Sequence, residues 1–409
     1  MTFASGAFGQ LRYIQETTAG VTPVVGNAVN LRTTTPGMKA STSTVRSREI
    51  SSTRMISSTT NADLNVDGTF DFELSGREYD PFIQGVLYSS FNHYGVSGLG
   101  ASFTITSTIS TITASVAPVG ASAFTNLSQG SWFKVVPPSG ATTAVKDYFA
   151  DAWFKVSLTT APTPTEITVD ASTPLRAPGL LVAAAGYLIT QSVVSNGNSI
   201  RTFSFEWDQD DINTNLTFTG MQPDMMSLDL AVGSIITGQF GFTGRGHTIQ
   251  NSSLLPGSPM PSQDLEIMNA VTDIGVVREN GANLVGVNDF IKSAKLEVKN
   301  NLRAQKALAV YGTASVGVGE LMVSGSLEVY FESATYYRKW LNGTNTSLEI
   351  GVADPSGNGY LIELDKVRFV DGSLSPPDKD SDVILTLPFE AYYNAGTGRG
   401  IRITRAVAA

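Results

Sequence analysis

A mainly β fold is predicted for this chain: two sandwich-like units in tandem, each flanked by one short helix, with a small β-barrel or sandwich module inserted into the first. Three observations predict it. Strand-period alternation of apolar and polar residues recurs along the chain and is broken by turn sequences. Of 409 residues, 42% are hydrophobic and only 15% charged, the balance being Ser, Thr, Gly and Asn, which suit strands and packed interfaces better than solvated helices. And one pattern is written twice, GTFDFELSGREY at 68–79 and GSLEVYFESATYY at 325–337.

In the first copy Phe70, Phe72 and Leu74 alternate with Thr69, Asp71, Glu73 and Ser75, giving a strand with one buried and one wet face. Tyr79–Ser89 follows, with Phe82, Ile83, Val86 and Leu87 at helical spacing, Asp80 as cap and Pro81 in the first turn. Once residues 95–198 are set aside, strand candidates come at Ile200–Glu206, Leu216–Gly220 and Ile235–Phe242, with DQDDINTN turning between the first two. In the second copy Leu327, Val329 and Phe331 alternate with Ser326, Glu328, Tyr330 and Glu332. Ala334–Asn342 then carries Tyr336, Tyr337, Trp340 and Leu341 at helical spacing, with Gly343 as its stop. Ser347–Val352, a DPSGNG turn, Tyr360–Leu364 and Val383–Phe389 complete it. Further strands are read at Ser227–Val232 and Lys295–Val298.

Order, lengths and turn positions correspond, so the chain reads as an internal duplication. One unit spans residues 1–94 plus 199–260 and the other 261–409. Residues 95–198 form a surface-exposed module with strand candidates at Ser102–Ile109, Ser131–Val136, Trp153–Leu158, Glu166–Val169 and Tyr187–Val194. Trp132, Phe133, Trp153 and Phe154 want burial, which disfavours a floppy spacer.

Chemistry is sparse. There is no cysteine, which excludes disulfides and thiolate catalysis, and the two histidines, His93 and His247, sit in glycine-flanked segments read as surface loops. No G-x-S-x-G, HExxH or comparable ligand spacing occurs. Asp378–Asp382 places carboxylates like a calcium loop, but Val383 stands where that loop needs glycine and Phe389 where it needs glutamate. Asp208, Asp210 and Asp211 leave an acidic-residue hydrolase as a distant alternative. Gly396–Gly400 lacks the strand and helix of a phosphate loop. No catalytic residue, metal ligand or cofactor site is assigned, and the expectation is a protein that is not an enzyme. No secretory signal is visible at the start, and Pro178–Ile189, the longest apolar run, is too short for a membrane span. A net charge of −9 argues against wrapping nucleic acid.

Three segments carry a family resemblance: 31–89 (LRTTTPGMKAS…FIQGVLYS), FTGMQPDMMSLDLAVGSIITGQFGFTGRG at 218–246, and VSGSLEVYFESATYYRKWLNGTNTSLEIGV at 323–352. Together they resemble the tail tube proteins, or major tail proteins, of long-tailed bacteriophages. The resemblance implies a β-sandwich with a flanking helix, rings whose inner sheets join into a barrel, and rings stacked into a channel for DNA delivery. It implies a virion location after synthesis in the host cytoplasm, and no catalytic residues. Its partners are further copies of the chain, other tail proteins (tape measure, terminator, distal tail) and double-stranded DNA in transit, with no membrane insertion. A decoration or baseplate protein, or a glycan-binding protein using Trp132 and Trp153, is the alternative.

Two residue sets follow. Thr33–Asn65 is basic within an acidic chain, with Arg46, Arg48 and Arg54 against the single acid Glu49 before Asp63. The resemblance places a hairpin reaching a neighbouring subunit here. Asp71, Glu73, Glu328 and Glu332, on the wet faces of the repeated strands, line either the channel or the outside. Since six single units close a ring in the family, a double unit implies a trimer, with a hexamer if the duplication is an illusion.

Overall fold

A computed structural model describes residues 3–50, 52–53, 55–95, 103–105, 111–114, 124–138, 140–150, 152–171, 173, 188–284, 291–374 and 378–406. It is mainly β, with 49% of residues in strands and 8% in helices. One long antiparallel sheet runs through Lys39–Arg46, Thr59–Glu73, Thr237–Thr243, the C-terminal half of Thr214–Ala231, Ile291–Lys299, Met322–Tyr330 and Ile384–Ala391. Two smaller sheets branch from it and fold back over its apolar face. The first contains Val29–Asn30, Gly9–Gln15, Phe203–Gln209, the N-terminal half of Thr214–Ala231 and Gly246–Gln250. The second contains Ala282–Asn283, Ile274–Glu279, Thr346–Ala353, Gly359–Phe369 and Ile401–Ala406.

The same pairing scheme therefore occurs twice. Thr59–Glu73 lies between Lys39–Arg46 and Thr237–Thr243 as Met322–Tyr330 lies between Ile291–Lys299 and Ile384–Ala391. Thr214–Ala231 and Gly359–Phe369 each serve a branch sheet with one half and the long sheet with the other. In Thr214–Ala231 the change of sheet falls where Gly220 takes φ +66° and the ladder slips between Pro223 and Met225, which bends one strand rather than ending it. Helices Asp80–Val86 and Thr335–Leu341 stand at the positions read from the periodicity.

One apolar cluster fills the space between the sheets. At its centre Phe82 of the first helix meets Phe70 at 5.1 Å, Phe203 at 5.0 Å and Phe240 at 5.6 Å between ring centroids. The second branch sheet reaches across to the same place, bringing Ile350, Val352, Tyr360 and Ile403 against Phe72, Tyr79, Ile83 and Met226.

Most strands anticipated in 95–198 are present: Phe103–Ile105, Trp132–Val136, Phe154–Lys155, Glu166–Thr168 and Leu188–Ser195. Thr111–Ala114 and the helix Thr143–Ala150 were not anticipated, although Val145 and Phe149 form an i, i+4 apolar pair buried in the module's own core. Most of the apolar run 178–189 lies outside the described residues. Leu188–Ser195 pairs with Ile401–Ala406 and so extends the second branch sheet. The segment that interrupts the first set of strands is thus anchored on the second.

Both histidines correct the sequence reading. His93 is in the strand Asn92–Gly95, paired with Leu188–Ser195. His247 is in Gly246–Gln250, where its ring stacks on Phe218 at 4.7 Å and its Nδ1 lies 3.1 Å from the Thr217 carbonyl oxygen. Neither is in a loop, because flanking glycines also occur where strands pack closely.

Candidate functional site

The long sheet has two unlike faces. Phe70, Phe72, Phe240, Met226, Leu228, Leu296, Val298, Leu327, Val329, Leu385 and Leu387 point into the core. The alternate positions carry polar groups. Asp71, Glu73 and Glu328, read as wet-face residues from sequence, share this face by register. Glu332 does not, since it lies beyond the end of Met322–Tyr330 in an exposed turn.

Strand pairing adds members that sequence reasoning missed: Asp229, Lys295, Glu297 and Glu390. Their strands were recognised, but which strands are neighbours is not written in any one of them. A groove crosses the face here, lined by Asp229, Lys295, Glu297, Ser326, Pro388 and Glu390. Lysines on the face are largely matched. Lys295 Nζ is 2.9 Å from Asp229, Lys39 is 3.3 Å from Asp67 and Lys292 is 3.9 Å from Glu328. The contact with Asp229, together with its charge, raises the Lys295 ammonium above its usual range. Gln239 Nε2 donates to Asp71 Oδ1 at 2.6 Å. Asp71, Glu73, Glu297 and Glu390 form no ion pair among the described residues, and neither do Lys299 and Arg368, which share the face by register, so acids outnumber bases on it.

In the middle of the sheet the two sets of strands meet edge to edge. The C-terminal half of Thr214–Ala231 pairs with Ile291–Lys299, with Leu228 opposite Leu296 and Asp229 opposite Lys295. Asn300, at the end of that strand, donates to the Val86 carbonyl at 2.9 Å and the Pro223 carbonyl at 3.2 Å. From there the chain leaves as a hairpin, Arg303–Gln305 with Ser315–Gly317. It lies on the earlier strands, with Lys306 Nζ donating to Asp63 Oδ1 at 2.9 Å, the Leu64 carbonyl at 2.9 Å and Asn65 Oδ1 at 2.8 Å. Behind the sheet, Asp80 of the first helix accepts from Tyr360 at 2.6 Å and pairs with Arg405. Burial pushes the Asp80 carboxyl above its ordinary range, against the pull of Arg405 and Tyr360.

Both ends of the sheet are open among the described residues. Lys39–Arg46 pairs on one side only, with Thr59–Glu73. At the far end Ser373–Leu374 pairs only with Ile384–Ala391. The hairpin formed by Lys39–Arg46 and Thr59–Glu73 continues past the body, exposing Arg46, Arg48 and Glu49. Arg54 lies outside the described residues. Val45, Ile50, Met55 and Ile56 on this projection are also exposed.

The remaining sequence candidates have structural roles. Trp132 (0% exposed) and Trp153 (4%) are buried with Val276, Leu361 and Ala406 of the second branch sheet, so they present no ring to a sugar. Lys155 and Arg278 each lie 5.3 Å from the Trp132 ring, and Lys155 Nζ is 2.6 Å from Glu349 Oε1. Nearby, Arg402 forms a two-pronged pair with Glu363, whose carboxyl is raised by burial against the pull of that arginine. In the acidic cluster, Asp208 pairs with Arg12, and Asp211 accepts from the Ser5 amide at 2.6 Å and Gln209 at 2.9 Å. These contacts tie down the first strand. Among the described residues no three His, Asp or Glu side chains gather as a metal site, and no helix is long and apolar enough to cross a membrane.

Comparison with curated proteins finds no match. The family of phage tail tube proteins matches residues 6–391, nearly the whole chain. The chain belongs to the phage tail tube protein family, structural proteins of the virion tail.

Proposed function

We propose that this chain is a double ring subunit. Residues 1–94 plus 199–260 act as one tube unit, 261–409 as a second, and 95–198 as an accessory module. Three copies then supply six unit positions, the rings stack into the tail tube, and the polar face of the long sheet lines the channel for DNA. The observation that carries this reading is the internal joint. Two like sets of strands meet edge to edge in one sheet, and among the described residues an open edge remains at each end. A heterologous contact of this kind closes into a ring when the rotation permits. Fusing two units makes half the joints intramolecular, so they form independently of subunit concentration.

The surplus of carboxylates on the polar face suits a channel wall. Double-stranded DNA carries a charge every ~1.7 Å, and a lysine-rich wall would retain it through counterion release. End-on averaged electron micrographs of assembled protein test the proposal. Three peripheral modules per ring are expected; six, or compact monomers at high concentration, would overturn it.

A further inference from the structure

The internal joint specifies, residue by residue, the joint between two copies. We propose that Arg48 of one copy binds Glu320 of the next, and that Met38 of the first faces Leu374 of the second. The proposal rests on the ring reading above.

The correspondence comes from strand register. Gly68 pairs with Phe242 and Phe70 with Phe240, as Gly325 pairs with Phe389 and Leu327 with Leu387. On the other side of these strands, Pro36 faces Phe70 as Ala294 faces Leu327. Continuing both ladders aligns Met38 with Leu296 and Thr42 with Asn300. At the opposite edge Leu374 faces Leu385 as Leu228 faces Gly238, and Gly238 occupies the position of Leu385 in the repeated scheme. Leu228 opposite Leu296 inside the chain thus translates to Leu374 opposite Met38 between chains.

The hairpins correspond as well. From Lys299 to Met322 and from Ser41 to Asn65 the intervening chain is nearly equal in length. Counting along it brings Arg48 to the place of Lys306 and Glu320 to the place of Asp63. Inside the chain, Lys306 and Asp63 are ion-paired at 2.9 Å. Arg48 and Glu320 are both exposed and form no ion pair among the described residues. They are the same two roles left open.

A third observation concerns the helices. In Asp80–Val86 most residues are buried and Ile83 lies against Ile350, Val352 and Tyr360 of the second branch sheet, whereas in Thr335–Leu341 only Tyr336 is buried and Leu341 is 61% exposed. The partner that covers the first helix is supplied by the following unit of the same chain. The second helix lacks a following unit, and a second copy provides one.

The absence of cysteine allows a clean test. Facing residues in an antiparallel pair lie about 4.5–5.5 Å apart between Cα atoms, within disulfide reach. Mixed Met38→Cys and Leu374→Cys chains, assembled and mildly oxidised, are expected to give a dimer on non-reducing gels containing one chain of each kind. Arg48→Glu and Glu320→Arg should each raise the concentration needed for assembly about tenfold, and the double variant should restore it. Circular dichroism of each unassembled variant controls for folding. Rings that form normally without the mixed disulfide and without charge rescue overturn the joint while leaving the ring reading intact. A wild-type chain that forms no rings overturns both.

Discussion

Replacing Asp80 by Ala should loosen the contact between the two halves of the molecule more than any surface change. In the native fold this carboxylate meets Tyr360 at 2.6 Å and the Arg405 guanidinium, and the Tyr360 oxygen in turn accepts from the Arg77 amide at 2.8 Å. The alanine leaves a tyrosine hydroxyl and an arginine without their acceptor in a site where their side chains have little access to water. Removing one member of a buried ion pair costs about 3–5 kcal/mol. Arg405 also lies over the Phe91 ring at 4.8 Å, which retains part of its stabilisation and places the expected loss near 3 kcal/mol. Asp80→Asn keeps an acceptor for Tyr360 and should lose less, by about the 1 kcal/mol of one hydrogen bond. Urea unfolding followed by circular dichroism measures the difference, read as a shift in midpoint at unchanged slope. An alanine variant within about 1 kcal/mol of wild type would refute the idea that this pair holds the halves together.

Three further outcomes are expected. Burial raises the carboxyls of Asp80, Glu363, Glu78 and Asp208 above their ordinary values, so the folded chain binds these protons more readily than the unfolded one. Their contribution to stability therefore grows as pH falls from neutral through the raised values, and thermal midpoints should hold or rise down to about pH 5; a steady fall beginning at pH 6 contradicts this. Gly325→Ala should cost about 1–3 kcal/mol by overpacking, because its Cβ would strike the Lys295 carbonyl and the Phe389 ring, and an unchanged unfolding midpoint would count against it. Replacing Asp71, Glu297 and Glu390 together by Lys should leave tubes intact but make them hold double-stranded DNA in a salt-dependent way; mobility-shift titrations that match wild type at low salt would remove this face from the channel.

Sequence alternation by itself determined the element types. Phe70–Phe72–Leu74 and Leu327–Val329 can bury one face only as strands, and Phe82–Ile83–Val86 can do so only as a helix, because these periods follow from backbone geometry. The recurrence of those elements was legible for the same reason. What the tertiary structure decided was partnership. That Asp229 faces Lys295 and Asp80 meets Arg405 depends on segments far apart in the chain, whose local patterns contain nothing about each other. The anchoring of Leu188–Ser195 on Ile401–Ala406 belongs to the same class. So does the bend that lets Thr214–Ala231 serve two sheets, which local reading divides into separate strands at 216–220 and 227–232. Periodicity encodes which face of an element is apolar, but the choice among apolar faces and sheet edges is made by shape and charge complementarity when the whole chain packs.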